Sequence, residues 1–255
     1  MSILDKAKGA IEKRVSNNAT GPANPTNSDD VYEITPEEAN RVTNALLDGL
    51  DKAVAAQSGV IKKYVDGLRK RNPESSPAQI QAILDKHLLN LVSGTGAAAG
   101  ASAAVPGVGT IAGIAAIAAE SVVFLEAASW YVLSSAYLRG DNIGDEERRR
   151  ALVLLVLTGS KGSALVDTLV GDMGTVKGVT SAATLSRFTG PTLSGLNGRL
   201  TKLFAKQVTK RLKWAWVSKL MPMGIGAVLG TSANRKLAKK VIEHAGEQLS
   251  PLPAS

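Results

Sequence analysis

One uncharged run constrains this chain more than any other feature. Between Lys86 and Glu120 there is no formal charge, with His87 counted neutral, and most of the residues are Ala and Gly. Small residues recur four apart, at Gly96, Gly100 and Ala104 and again at Gly109 and Gly113. That spacing lets two helix backbones approach closely. Pro106 and Gly107 interrupt the run, since proline lacks the amide donor and clashes with the preceding turn, so a bend is expected over residues 105–109. The expected fold class is therefore all-α: a multi-helix bundle built around a Gly/Ala-rich central helical hairpin. A second proline–glycine run, Met221 to Gly230, carries Pro222, Gly224, Gly226 and Gly230 and echoes the first, which suggests a second hairpin packed on it.

The remaining elements follow from capping signals and apolar period. Residues 3–15 place Ile3, Leu4, Ala7, Ile11 and Val15 on one face, a short amphipathic helix over 1–15; residues 16–34 are polar, carry two prolines and read as a disordered linker. Thr35-Pro36-Glu37-Glu38 and Ser76-Pro77 are helix starts, and Asn72-Pro73 is a stop. The second start predicts Ile80, Ile83, Leu84, His87, Leu88 and Leu91 on a buried side. A long helix is expected from Thr110 to about Leu138, with Trp130, Tyr131 and Tyr137 near its end, where interfacial aromatics would sit. Asp145-Glu146-Glu147 before Arg148-Arg149-Arg150 suits a helix dipole, and the solidly apolar Ala151 to Leu157 that follows should be a core helix. Residues 158–198 are rich in Gly, Ser and Thr and predict brief helices only. The helical domain is expected over residues 35–250.

Charge carries the functional signal. The chain has a formal net charge of +8, but from Met173 to Ile242 there is no acid at all. A long segment of one sign seeks anions. Within it, Leu200, Leu203, Phe204, Val208 and Leu212 mark one side of a helix and Arg199, Lys202, Lys206, Lys210 and Lys213 the other, with Trp214 on the polar side and Lys219 following. A clean separation of this kind suits a helix lying on an anionic membrane surface, so these seven cationic and aromatic positions form the expected anion-binding set. The competing reading is a core-docked helix whose basic face is solvated, or one that docks an acidic protein partner, a second copy, or the chain's own acid-rich residues 29–51. Nucleic acid is disfavoured, because few aromatics interleave with the cations and no reading motif is present. Insertion of the glycine-rich hairpin into a bilayer is a further alternative. It passes on length, but Ala and Gly gain little in hydrocarbon and Glu120 and Glu126 each cost roughly 2–3 kcal/mol at a bilayer centre.

Several chemistries lose their support. The chain has no Cys and only two histidines, His87 and His244, without metal-ligand spacing; such histidines usually cap or pack. Gly107-x-Gly109-x-x-x-Gly113 lacks the dinucleotide spacing, and Gly159-Ser160-Lys161 lacks the order and context of a phosphate loop. No cofactor and no catalytic set are expected. Met1 to Arg14 is charged throughout and has no apolar core, so no secretory leader is expected, and the site of action would be the cytoplasmic face of a membrane.

Taken together, the A-V-P-G-V-G-T run with its long Ala-rich helix, the Tyr137-Leu138-Arg139-Gly140-Asp141 turn, the Asp145-Glu146-Glu147-Arg148 start, and L-M-P-M-G-I-G-A-V-L-G-T-S-A-N-R from Leu220 to Arg235 resemble the bacterial EcsC protein family. The resemblance spans roughly residues 37–249. It implies a helical protein without an established catalytic activity, from a family named for a protein encoded beside an ABC transporter. No catalytic residues carry over.

Overall fold

The computed structural model describes residues 36–55, 58–102, 110–171, 180–217 and 226–254; among the side chains outside that set are those of 94–120, 211–217 and 226–233. The chain divides after Glu33, and every described helix belongs to the unit Ile34–Ser255. The fold is all-α. In chain order the helices are α1 (Pro36–Ala55), α2 (Ser58–Arg71), α3 (Pro77–Ser102), α4 (Thr110–Leu138), α5 (Glu146–Thr158), α6 (Ser160–Gly171), α7 (Ser181–Leu185), α8 (Gly190–Val217) and α9 (Gly226–Gln248), and the described residues include no strand. The amphipathic helix and linker expected over 1–34 and the Thr35 cap lie outside the described residues. So do Pro106, Gly107, Gly109, Lys219, Pro222 and Gly224.

α5 is the most deeply buried helix. Ala151 through Val156 are each at most 1% exposed, and α1, α4, α6, α7, α8 and α9 all pack against it. The sequence instead points to the Gly/Ala hairpin as the hub. α3 and α4 do pack on one another, and α9 lies along α3. The side chains of residues 94–120 in that hairpin lie outside the described set, and the core among the described residues centres on α5, whose Leu and Val bury apolar area worth about 25 cal/mol per Å². Gly96 and Gly100 lie on α3, Gly113 on α4, and Gly226 and Gly230 on α9. A close approach made through a small residue is seen elsewhere: at Gly49 of α1 an added Cβ would stand 3.0 Å from Val122 of α4. Further along α4, Ala128, Ser129, Ser134, Ser135 and Ala136 are all buried, so its second half is also a seam of small residues.

Local signals placed α3 and α5 well. Ser76 Oγ accepts from the Gln79 amide (3.3 Å) while Gln79 Oε1 accepts from the Ser76 amide (2.8 Å), a reciprocal capping box. Asp145 caps α5 by accepting from the Arg148 amide at 2.9 Å. Three expectations need correction. On α3 the buried line is Ile80, Leu84, Leu88 and Val92, whereas His87 is exposed and Leu91 is 53% exposed. The seam follows i, i+4 steps, and the i+3 members fall on its edge. Tyr131 is a core residue at 4% exposure, not an interfacial aromatic. Residues 190–198, where only brief helices are expected, form the start of the 28-residue α8. Pro191 suits a first turn, and Leu193, Leu196, Asn197 and Leu200 are buried at helical spacing, so tertiary burial outweighs the low helix propensity of Gly195 and Gly198.

The three arginines of α5 fasten three different elements. Arg148 donates to the carbonyls of Leu185 (3.3 Å) and Phe188 (3.2 Å) at the end of α7. Arg149, only 6% exposed, donates to the carbonyls of Val54 (2.7 Å), Ile143 (3.1 Å) and Gly144 (3.0 Å). Arg150 pairs with Asp51 at 2.7 Å. Cations at the carbonyl end of a helix also complement its dipole, which suits Arg149 at the end of α1.

Candidate functional site

Two polar constellations stand out. The first lies between α3 and α4. Tyr131 donates to Asp85 Oδ1 (2.7 Å) and accepts from Gln81 Nε2 (3.0 Å), which also donates to Asp85 Oδ1 (2.7 Å). Ser135 Oγ donates to Gln81 Oε1 (2.8 Å), and Arg139 donates to the same oxygen and to Ser135 Oγ (2.6 Å). Burial, and next the Asp85 carboxylate, push the Tyr131 hydroxyl well above its ordinary value, while burial lowers Arg139. Most of the polar atoms here are spent on a neighbour, so the network locks two helices in register.

The network gives a pH signature. Tyr131 keeps its proton to higher pH in the folded chain than in the unfolded one. Its contribution to stability is therefore complete below the unfolded value of about 10 and is lost as pH rises through the interval above it. Urea unfolding should show stability falling above pH 10. The Tyr131→Phe variant, though less stable at pH 8, should fall less steeply, by about 1 kcal/mol between pH 10 and 11. Parallel slopes in the two proteins would refute this assignment.

The second constellation is a cleft where α5 turns into α6. α5 ends at Gly159 (φ 64°, ψ −145°), a conformation nearly confined to glycine, and the Gly159 carbonyl accepts from the amides of Gly162 (2.8 Å) and Ser163 (3.2 Å) to restart the helix at once. A Cβ on Gly159 would overlap the ring of His244, which comes from α9. His244 Nδ1 lies 3.1 Å from the Val156 carbonyl and must donate to it, which leaves Nε2 facing away from that bond. Gln207 of α8 donates to the Thr158 carbonyl at 3.2 Å. Thr158 Oγ1 returns to the carbonyls of Leu154 (2.6 Å) and Leu155 (3.1 Å). The end of α5, which would otherwise present orphan carbonyls, is thus clamped from α8 and α9. Around the corner opens a cavity of about 570 Å³ lined by Thr158, Ser160, Lys161, Gln207, Lys210, Lys240, Glu243 and His244. All eight side chains are polar or charged, three of them lysines and one a glutamate. Among the described residues no group of His, Asp and Glu suits a metal ion.

The expected anion-binding set maps partly onto this region. Arg199, Lys202, Lys206 and Lys210 are exposed on α8, opposite the buried Leu196, Leu200 and Phe204. Among the described residues the ion pairs are Arg69–Asp66 and Arg150–Asp51, and neither involves α8. The side chains of Lys213 and Trp214 lie outside the described set. Of the predicted cations only Lys210 lines the cleft. Lys161, on α6, and Lys240, Glu243 and His244, on α9, are not in the expected set, since these two helices and α8 lie far apart in sequence and only packing brings them together. The available signal was the acid-free run, whose first carboxylate after Ile242 is the Glu243 of the cleft. Of the histidines, His244 caps α5 as described, and His87 Nδ1 lies 2.6 Å from the Tyr64 hydroxyl. Comparison with family models, curated proteins and solved structures gives no match.

Proposed function

We propose that this chain is a non-enzymatic helical protein of the EcsC type that attaches peripherally to the anionic, cytoplasmic face of a membrane through the basic side of α8. The observation that supports this reading is the two-sidedness of α8 in its packed state. Leu193, Leu196, Leu200 and Phe204 are committed to the core, while Arg199, Lys202, Lys206 and Lys210 stand exposed at three- and four-residue steps with no carboxylate paired to them among the described residues. Each such cation is worth about 1 kcal/mol near an anionic lipid surface. The chain's own acids do not compete within the described residues: Asp51, the last of the acid-rich segment, is held by Arg150. Among the described residues one helical window, Ser121–Leu138, is long and apolar enough to span, and 56% of it is buried inside the fold.

The test is co-sedimentation with vesicles containing phosphatidylglycerol. The Arg199→Glu/Lys202→Glu/Lys206→Glu variant should bind about a hundredfold or more weakly, and wild-type binding should weaken as salt is raised. Equal binding by the variant would eliminate the proposal. Survival of the protein in membranes through an alkaline carbonate wash would replace it with insertion.

A further inference from the structure

We propose that the cleft at the α5–α6 corner is a binding site for a phosphomonoester dianion. The inference stands independently of membrane attachment, since the cleft and the exposed face of α8 share only Lys210. Two observations carry it. Lys161 from α6, Lys210 from α8 and Lys240 from α9 line one cavity with Glu243 as the sole carboxylate. Gathering three like charges around one void is unfavourable unless an anion or solvent ions screen them. Cations could instead serve the negative end of α5, but the carbonyls of Leu154, Leu155, Val156 and Thr158 already have donors from Thr158, His244 and Gln207. Of the last four carbonyls of α5, that leaves at most Leu157's for three lysines.

The lining then defines the ligand class. A phosphomonoester presents three terminal oxygens and is largely dianionic near neutral pH, with a second pKa of about 6. It therefore matches three separate ammonium donors better than a phosphodiester, which has two such oxygens and one charge. Ser160 and Lys161 also open α6, whose first-turn dipole favours an anion. A cavity of about 570 Å³ is much larger than a phosphate alone, so part of it holds the body of the ligand. Glu243 and Gln207 Oε1 offer acceptors for hydroxyls on that body.

The free and lipid-borne sources separate in one set of measurements. Glycerol 3-phosphate is titrated into the full chain by calorimetry, and binding to vesicles of phosphatidic acid is compared with binding to phosphatidylglycerol vesicles of matched charge. Wild type should bind at least one phosphomonoester probe saturably, and Lys161→Gln/Lys240→Gln should weaken it by about tenfold or more. Both lysines are exposed, and an unchanged melting temperature checks that the fold survives. Loss confined to glycerol 3-phosphate identifies a soluble ligand, and loss confined to phosphatidic acid a lipid head group; either supports the site. Glu243→Gln should act in the opposite direction and tighten inorganic phosphate, an effect that damage to the fold would not produce. The Arg199/Lys202/Lys206 variant should retain the glycerol 3-phosphate affinity of wild type, so failure of the membrane reading leaves this one testable. No saturable binding by wild type, or a double variant equal to wild type on both probes, overturns the proposal.

Discussion

Replacing Arg149 with alanine is expected to lower the unfolding free energy by about 3–5 kcal/mol. The side chain is buried, and its three hydrogen bonds go to main-chain carbonyls of α1 and of the α4–α5 turn rather than to a carboxylate. Truncation would strip donors from the carbonyls of Val54, Ile143 and Gly144 at once and leave a void between three elements. An unmade bond to a buried polar group costs about 1–3 kcal/mol, and bonds from a charged donor sit at the upper end. Arg149→Lys should recover less than half of the loss, because one ammonium cannot reproduce the planar fork that reaches Val54 from Nε and the turn from a terminal nitrogen. Urea denaturation at pH 7 measures both. A loss below 1 kcal/mol for the alanine variant would show that water replaces the guanidinium freely and that α1 is not fastened at this point.

The second large effect is expected at Gly159. Alanine there must adopt a backbone conformation that costs side-chain-bearing residues roughly 1–3 kcal/mol, and its Cβ would occupy the place of the His244 ring. The ring cannot withdraw without giving up its bond to the Val156 carbonyl. Gly159→Ala should therefore destabilise by about 3 kcal/mol or more. In a His244→Ala background the same change should cost only the backbone part. A double-mutant cycle separates the two: a coupling of about 1 kcal/mol or more is expected for groups in direct contact. Additive losses would mean that the ring yields freely. Because Gly159 also fixes the angle at which Ser160 and Lys161 enter the cleft, Gly159→Ala should weaken glycerol 3-phosphate binding along with stability, whereas Lys240→Gln should weaken binding alone.

These two positions differ in how much of their role could be read in advance. Arg149 sits in an R-R-R run that looks like a solvated helix start, and its neighbours Arg148 and Arg150 are indeed partly exposed. Nothing in the order of residues distinguishes the member that turns inward, because its partner Val54 lies in another helix. Gly159 stands where the apolar run of α5 gives way to Gly, Ser and Thr, but the reason a glycine is needed there, a histidine from α9, is not legible in the sequence.

What the amino-acid order determined by itself was local. The Ser76–Gln79 box, the Asp145 cap, the apolar α5 and the acid-free basic run are set by residues three or four apart, and their physics is complete within one or two turns. The helical class and most element positions follow from that. Tertiary structure alone decided which face of α3 turns inward, why α8 begins at Gly190 rather than Arg199, and which lysines meet. Lys161, Lys210 and Lys240 are brought around one cavity by the packing of α5 against α8 and α9, which follows from the burial of Ala151 to Val156 and not from any pattern in the lysines themselves.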